Sequence, residues 1–164
     1  MDSGSHPESG LAKSVRSDAD FEEMGWHDAT LHGLYLQQTD DVVPRLLLDL
    51  DYVVRWVHPV RPAKNFTFWV APATLVFEQV WDLEGSLGLT NTHPELEIDD
   101  VYRLAPDDGR SEWPQWHVEG HGFDLRFRAG GFRQYVRQTP RHTPTPTLSA
   151  AERGGCCFTE AGFD

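Results

Sequence analysis

Leu46-Leu47-Leu48-Asp49-Leu50-Asp51-Tyr52-Val53-Val54-Arg55-Trp56 alternates with a period of two. One side reads Leu46, Leu48, Leu50, Tyr52, Val54 and Trp56; the other reads Leu47, Asp49, Asp51, Val53 and Arg55. Successive side chains of a strand point to opposite faces, so the pattern specifies a β-strand with one buried face. The first set, Trp56 included, is the expected core. The second, with its acids, is the expected solvent face. Upstream, Leu31, Gly33 and Tyr35 alternate with His32, Leu34 and Leu36, and Thr39-Asp40-Asp41 supplies turn chemistry between the runs. The two segments read as an antiparallel hairpin.

Outward from this hairpin, shorter alternating runs fall at Phe66–Val70, Thr74–Val80, Leu96–Arg103, Trp116–Glu119, Phe123–Arg128 and Phe132–Arg137. Pro72 interrupts between the first two, because proline has no N–H for a sheet ladder. Gly130-Gly131 marks a bulge or turn before the last. No segment keeps an apolar period of 3.6 over ten residues, and Asp20–Trp26 is the place for a short helix. About eight strands with little helix give a mainly β fold, an antiparallel sandwich or a rolled barrel.

The ends differ in composition. Residues 1–20 are rich in Ser, Gly, Asp, Glu and His and read as a flexible lead. Residues 21–138 form a single β domain. From Thr139 onward, Pro140, Pro144 and Pro146 lie among threonines, so 139–164 reads as a disordered tail with at most a marginal helix near Ser149–Arg153.

The chain has 164 residues, 39% of them hydrophobic and 12% aromatic, enough for one core that needs neither metal nor disulfide. Against 26 acids stand 14 bases, a formal charge of −12. That balance argues against nucleic acid and anionic membrane as partners; it permits a basic protein partner and equally serves solubility alone. The two cysteines, Cys156 and Cys157, are adjacent and provide neither a disulfide framework nor a zinc quartet. Together with the lack of a basic-then-apolar leader and of any apolar run near ~18 residues, this gives a cytoplasmic expectation.

Three groups of residues carry chemistry. Trp26-His27-Asp28 precedes the first strand, where Trp26 plugs the core, His27 holds a backbone carbonyl and Asp28 ties down a turn. Asp28 also shares a strand face with His32, and with Asp49 or Asp51 from the next strand these could converge as a metal-dependent hydrolase site. The alternating acids Asp49 and Asp51 with Arg55 fit better a solvated or binding face. Trp69 and Trp113 are either core or interface anchors. No serine-hydrolase, P-loop or dinucleotide motif is present.

The run Trp26-His27-Asp28-Ala29-Thr30-Leu31, together with Phe68–Glu78 and Gly131–Arg137, resembles an uncharacterised family of small bacterial β-rich proteins over about residues 26–138. The His-Asp-Ala motif is similar to immunity proteins of polymorphic toxin systems, which bind and neutralise a cognate toxin. The expected function is a non-enzymatic acidic binding domain, immunity-like, that occludes a basic protein through His27, Asp28, Asp49, Asp51, Arg55, Trp69 and Trp113. No cofactor or metal is expected in this reading. The alternatives are the metal-dependent hydrolase at Asp28, His32, Asp49 and Asp51, and a small-ligand binder in a barrel mouth.

Overall fold

The computed structural model describes residues 9–39, 42–88, 96–105 and 113–164. Ten strands make up most of it: β1 (Val15–Ser17), β2 (Thr30–Thr39), β3 (Val42–Val57), β4 (Thr67–Glu78), β5 (Trp81–Leu87), β6 (Glu97–Leu104), β7 (Gln115–His121), β8 (Phe123–Arg128), β9 (Gly131–Val136) and β10 (Arg141–Thr143). A 3₁₀ helix, Asp18–Glu23, and one short helix, α1 (Ala150–Arg153), complete it. The strands run in the order β1-β9-β4-β3-β2-β6-β7-β8-β5, with β10 on β4, and the paired strands are antiparallel.

The sheet does not close, which removes the rolled barrel and its ligand-holding mouth. Instead it doubles over into a sandwich-like fold. Phe77 of β4 packs on Phe127 of β8, with ring centroids 4.7 Å apart, and on Trp116 of β7 at 5.4 Å. The two halves join where β2 meets β6, through one ladder pair, Thr30 with Glu97. Backbone bonds flank it: Asp28 N to Ile98 O, Ile98 N to Ala29 O, and Leu31 N to Leu96 O.

The β2–β3 hairpin has the expected antiparallel pairing, with Leu34 opposite Leu48 and Leu31 opposite Leu50. Leu46, Leu48, Leu50 and Tyr52 enter the core as read. Each fully buried leucine contributes about 1.5–3 kcal/mol over its exposed state. Trp56 departs from the expectation and is 37% exposed. A register shift between Val53 and Arg55 against β4 re-aims the end of the strand, as an extra residue in one strand does. Trp26 does plug the core. It is 1% exposed, and its Nε1 donates to the buried Gln134 Oε1 at 2.8 Å. Phe21, Tyr52 and Phe132 ring it at 5.7–6.2 Å.

Three element assignments change. Pro72 does not interrupt: β4 is one strand through it. Its carbonyl accepts from Arg137 N at 2.9 Å, on the side where β4 exchanges β10 for β9 as neighbour. A residue's N–H and C=O point to the same side of a strand, so the missing donor falls in that gap and costs no bond to β3. Within the lead, 9–20 is ordered: β1 pairs with β9, and Leu11 is buried in the core. Residues 1–8 lie outside the described residues, as do Asp40, Asp41 and the acidic loop 107–112.

The tail is the largest correction. Residues 139–164 are not disordered but fold back as a strap over the outer face of the β2-β3-β4-β9 half. β10 pairs with β4, Thr147 Oγ1 meets Thr30 Oγ1 at 2.8 Å, and Phe163 N donates to Val136 O at 3.0 Å. Leu148 packs with Val53, Phe68 and Val70 in a second, smaller apolar cluster. α1 carries a capping box from Ser149 and Glu152 and ends on the left-handed Gly154. A four-residue helix is unstable alone, so its packing on the sheet holds it. Proline and threonine composition misleads here because the few anchoring side chains are widely spaced.

Candidate functional site

The expected acidic face is the most buried polar site described. Asp49 and Asp51 are both 0% exposed. Arg153 of α1 lies across them: Nη2 donates to Asp49 Oδ1 at 2.7 Å, Nη1 to Asp49 Oδ2 at 2.9 Å, and Nε to Asp51 Oδ1 at 3.0 Å. Arg137 adds a bond from Nη2 to Asp49 Oδ1 at 2.7 Å and another from Nη1 to Thr74 Oγ1 at 2.7 Å. Cys157 N donates to Asp49 Oδ2, and Leu148 N to Asp51 Oδ2, each at 2.9 Å. His32 Nε2 completes Asp51 Oδ2 at 2.7 Å.

All four carboxylate oxygens therefore have donors, and two aspartates balance two arginines. Burial opposes ionisation of Asp49, but the bonds from Arg153, Cys157 N and Arg137 outweigh it and hold its carboxyl below the ordinary range. The sequence places His32 near these acids correctly but as metal ligands. The guanidinium groups occupy the positions a cation would need, and among the described residues no group of three such side chains could hold a metal ion. Asp49 and Asp51 cannot touch a partner either. Their role is to fasten the strap.

His27 and Asp28 sit elsewhere, beside the β2–β6 junction. His27 Nδ1 donates to the Asp99 carbonyl at 3.1 Å, as expected of it, and its ring lies flat against Trp56 at 5.8 Å. That bond, opposed by burial and helped by Asp28, raises the imidazole's pKa. Asp28 has a left-handed backbone, φ 67°, in the turn before β2. Its carboxyl meets that of Glu97, and this hydrogen bond, with burial, lifts Glu97 to about 7. The pair lines a cavity of about 320 Å³ roofed by Thr145, Pro146 and Thr147 of the strap. Glu97 carried no functional signal in the sequence, because its partner lies 69 positions away.

The remaining predicted site residues are scattered. Arg55 is exposed at the end of β3. Trp69 is half-buried and stacks on His142 of β10 at 5.0 Å, so it serves the strap. Trp113 is half-buried and meets Trp81 edge-on at 6.2 Å.

Among the described residues, the outer face of the other half of the sheet carries half-buried and exposed side chains. Cross-strand neighbours share a face, so Asp100, Glu119 and Asp124 form one row across β6, β7 and β8. Tyr102, His117 and Arg126 form the next. Tyr102 is 41% exposed, with its ring 5.8 Å from His117. His117 Nε2 binds Asp124 Oδ2 at 2.8 Å, which with help from Arg126 lowers the Asp124 pKa. The alternation in Trp116–Glu119 and Phe123–Arg128 is legible in the sequence, but nothing local marks its outward residues as a site. Compared with known proteins, the chain matches no family model, and neither its sequence nor its fold finds a match among curated proteins or solved structures.

Proposed function

We propose that the protein is a non-enzymatic, cytoplasmic binding domain that docks the outer face of β6-β7-β8 on a basic protein partner. One observation carries this: the chain's own strap covers one outer face, while on the other, among the described residues, the half-buried acids Asp100, Glu119 and Asp124 form a row beside the exposed Tyr102. The net charge of −12 would steer a basic partner toward it. Tyr102, with Trp81 and Trp113 farther along the same half, supplies the aromatic anchors that concentrate binding energy at interfaces. In the immunity-like form of this function the chemistry belongs to the partner, and the domain inhibits by covering the partner's site.

The test is affinity capture from a native lysate with the wild-type chain and with Tyr102→Ala and Asp100→Lys/Glu119→Lys variants. The expected partner is basic, is released as salt rises, and is held at least about tenfold more weakly by the charge-reversed chain. Equal capture by all three chains, or an acidic partner, would overturn the assignment.

A further inference from the structure

The strap carries the chain's two cysteines, Cys156 and Cys157, side by side just beyond Gly155. Both reach solvent: Cys156 is exposed and Cys157 half-buried. Their surroundings differ. Cys156 Sγ lies over Gly33 of β2, so close that a Cβ on that glycine would stand 2.6 Å from it. Burial, and then the neighbouring Asp49 carboxylate, push this thiol up.

Cys157 Sγ has the opposite setting. It lies 2.9 Å from Thr159 Oγ1 and accepts from Thr159 N at 3.4 Å. Two such donors suit an anion, because a thiolate can only accept. The Thr159 hydroxyl, opposed by burial and helped by Thr159 N–H and Arg137, holds this thiol below its ordinary value. The thiolate is the nucleophilic form, and reactive cysteines combine such stabilisation with partial exposure.

Residues 157–159 also belong to the clasp. Cys157 N donates to Asp49 Oδ2 at 2.9 Å. Thr159 O accepts from Thr74 Oγ1 at 2.8 Å, and that hydroxyl accepts in turn from Arg137 Nη1. Between them the Phe158 ring meets Tyr35 edge-on at 5.7 Å. A group attached to Cys157 Sγ displaces its contacts with Thr159, and with them the turn that aims both backbone bonds at the sheet.

We propose that Cys157 is a site of reversible modification by small disulfides, and that the adduct loosens the end of the strap. Cys157 gives its proton to solvent, and its thiolate attacks one sulfur of the disulfide. A bond forms between Cys157 Sγ and that sulfur, the disulfide's own S–S bond breaks, and the other half leaves as a thiolate. Cys157 is oxidised and the leaving half reduced; an excess of small thiol reverses the exchange. The site shares no residue with the β6-β7-β8 face and stands whether or not that face binds a protein.

The experiment uses the full reduced chain at neutral pH with cystamine as the disulfide. Intact mass followed by peptide mapping gives the rate at each cysteine. Cys157 should react about tenfold faster than Cys156 or more, and should keep its rate in Cys156→Ser. Thr159→Val, at an exposed position, removes the hydroxyl and leaves the backbone donor. The pH midpoint of Cys157 alkylation by iodoacetamide should then rise while that of Cys156 stays, which a merely structural role for Thr159 does not produce. Limited proteolysis should cut residues 154–160 of the cystamine adduct several-fold faster than in the free chain, and dithiothreitol should restore resistance. Equal rates at the two cysteines, a faster Cys156, or an unmoved Cys157 midpoint in Thr159→Val would overturn the site. An adduct as resistant as the free chain would overturn its hold on the strap.

Discussion

Replacing Arg153 with alanine tests the central claim about the strap. The buried cluster holds Asp49 and Asp51 against Arg137 and Arg153, with all four carboxylate oxygens bonded. Arg153→Ala deletes three bonds to carboxylates and a fourth to the Gly155 carbonyl. Asp49 keeps Arg137 and Cys157 N; Asp51 keeps only His32 and Leu148 N. One negative charge is then left buried without a cation. Breaking a buried pair from one side costs about 3–5 kcal/mol, and the bonds that remain to Asp51 place the expected loss near ~3. Against a typical domain stability of about 5–15 kcal/mol this is a large fraction. The assay is equilibrium urea unfolding at neutral pH, followed by tryptophan fluorescence. The midpoint should fall, and if the strap detaches in the native state the slope should fall as well, because less surface remains to be exposed. Adding Asp51→Leu to Arg153→Met should recover much of the loss, since an apolar pair leaves no unmatched charge. A single-variant loss below about 1 kcal/mol would refute the reasoning, because a desolvated, fully bonded guanidinium cannot be that dispensable.

Three further outcomes are expected. Glu97, near 4.5 when unfolded and held at about 7 in the fold, keeps its proton longer in the folded chain. Stability should therefore fall as pH rises from 4.5 to 7 and level off above. The displacement is worth ~3.4 kcal/mol at most and about 1–2 after solvent screening, and urea titrations of Glu97→Gln should lack that slope. Gly33→Ala would set a Cβ 2.6 Å from Cys156 Sγ and 3.0 Å from the Phe158 ring, so the strap must shift; limited proteolysis should cut residues 154–160 faster while the core stays resistant. Trp26→Phe removes the donor to buried Gln134 and should cost about 1–3 kcal/mol for the unmatched amide alone, read from the thermal midpoint.

The inner face of β3 was legible because a period of two is a local signal, and Leu46, Leu48, Leu50 and Tyr52 needed only their own spacing. The meaning of Asp49 and Asp51 was not local. Alternating acids on a strand normally mark solvent, and the residue that overrides this, Arg153, stands 104 positions from Asp49 in a segment whose composition suggests disorder. Trp56 failed for a related reason. Its position in the alternation was right, but a register shift after Val53 turned the strand end outward. In strand β5, Trp81, Leu83, Gly85 and Leu87 alternate with Asp82, Glu84 and Ser86, but as an edge strand it has little burial to sharpen the pattern. His32 beside Asp51 was anticipated from the hairpin, while the chemistry joining them needed the arginines.

The distance in sequence between Asp49 and its clasp has a temporal side. A ribosome adds about 5–20 residues each second, so the 104 residues that separate Asp49 from Arg153 take roughly 5–20 s to follow. Until Arg153 is added, Asp49 and Asp51 lack the guanidinium that spans them in the folded chain. Charges on an uncovered strand discourage pairing with neighbouring chains. In the folded chain the arginines turn the same two side chains into the lock that closes the sheet.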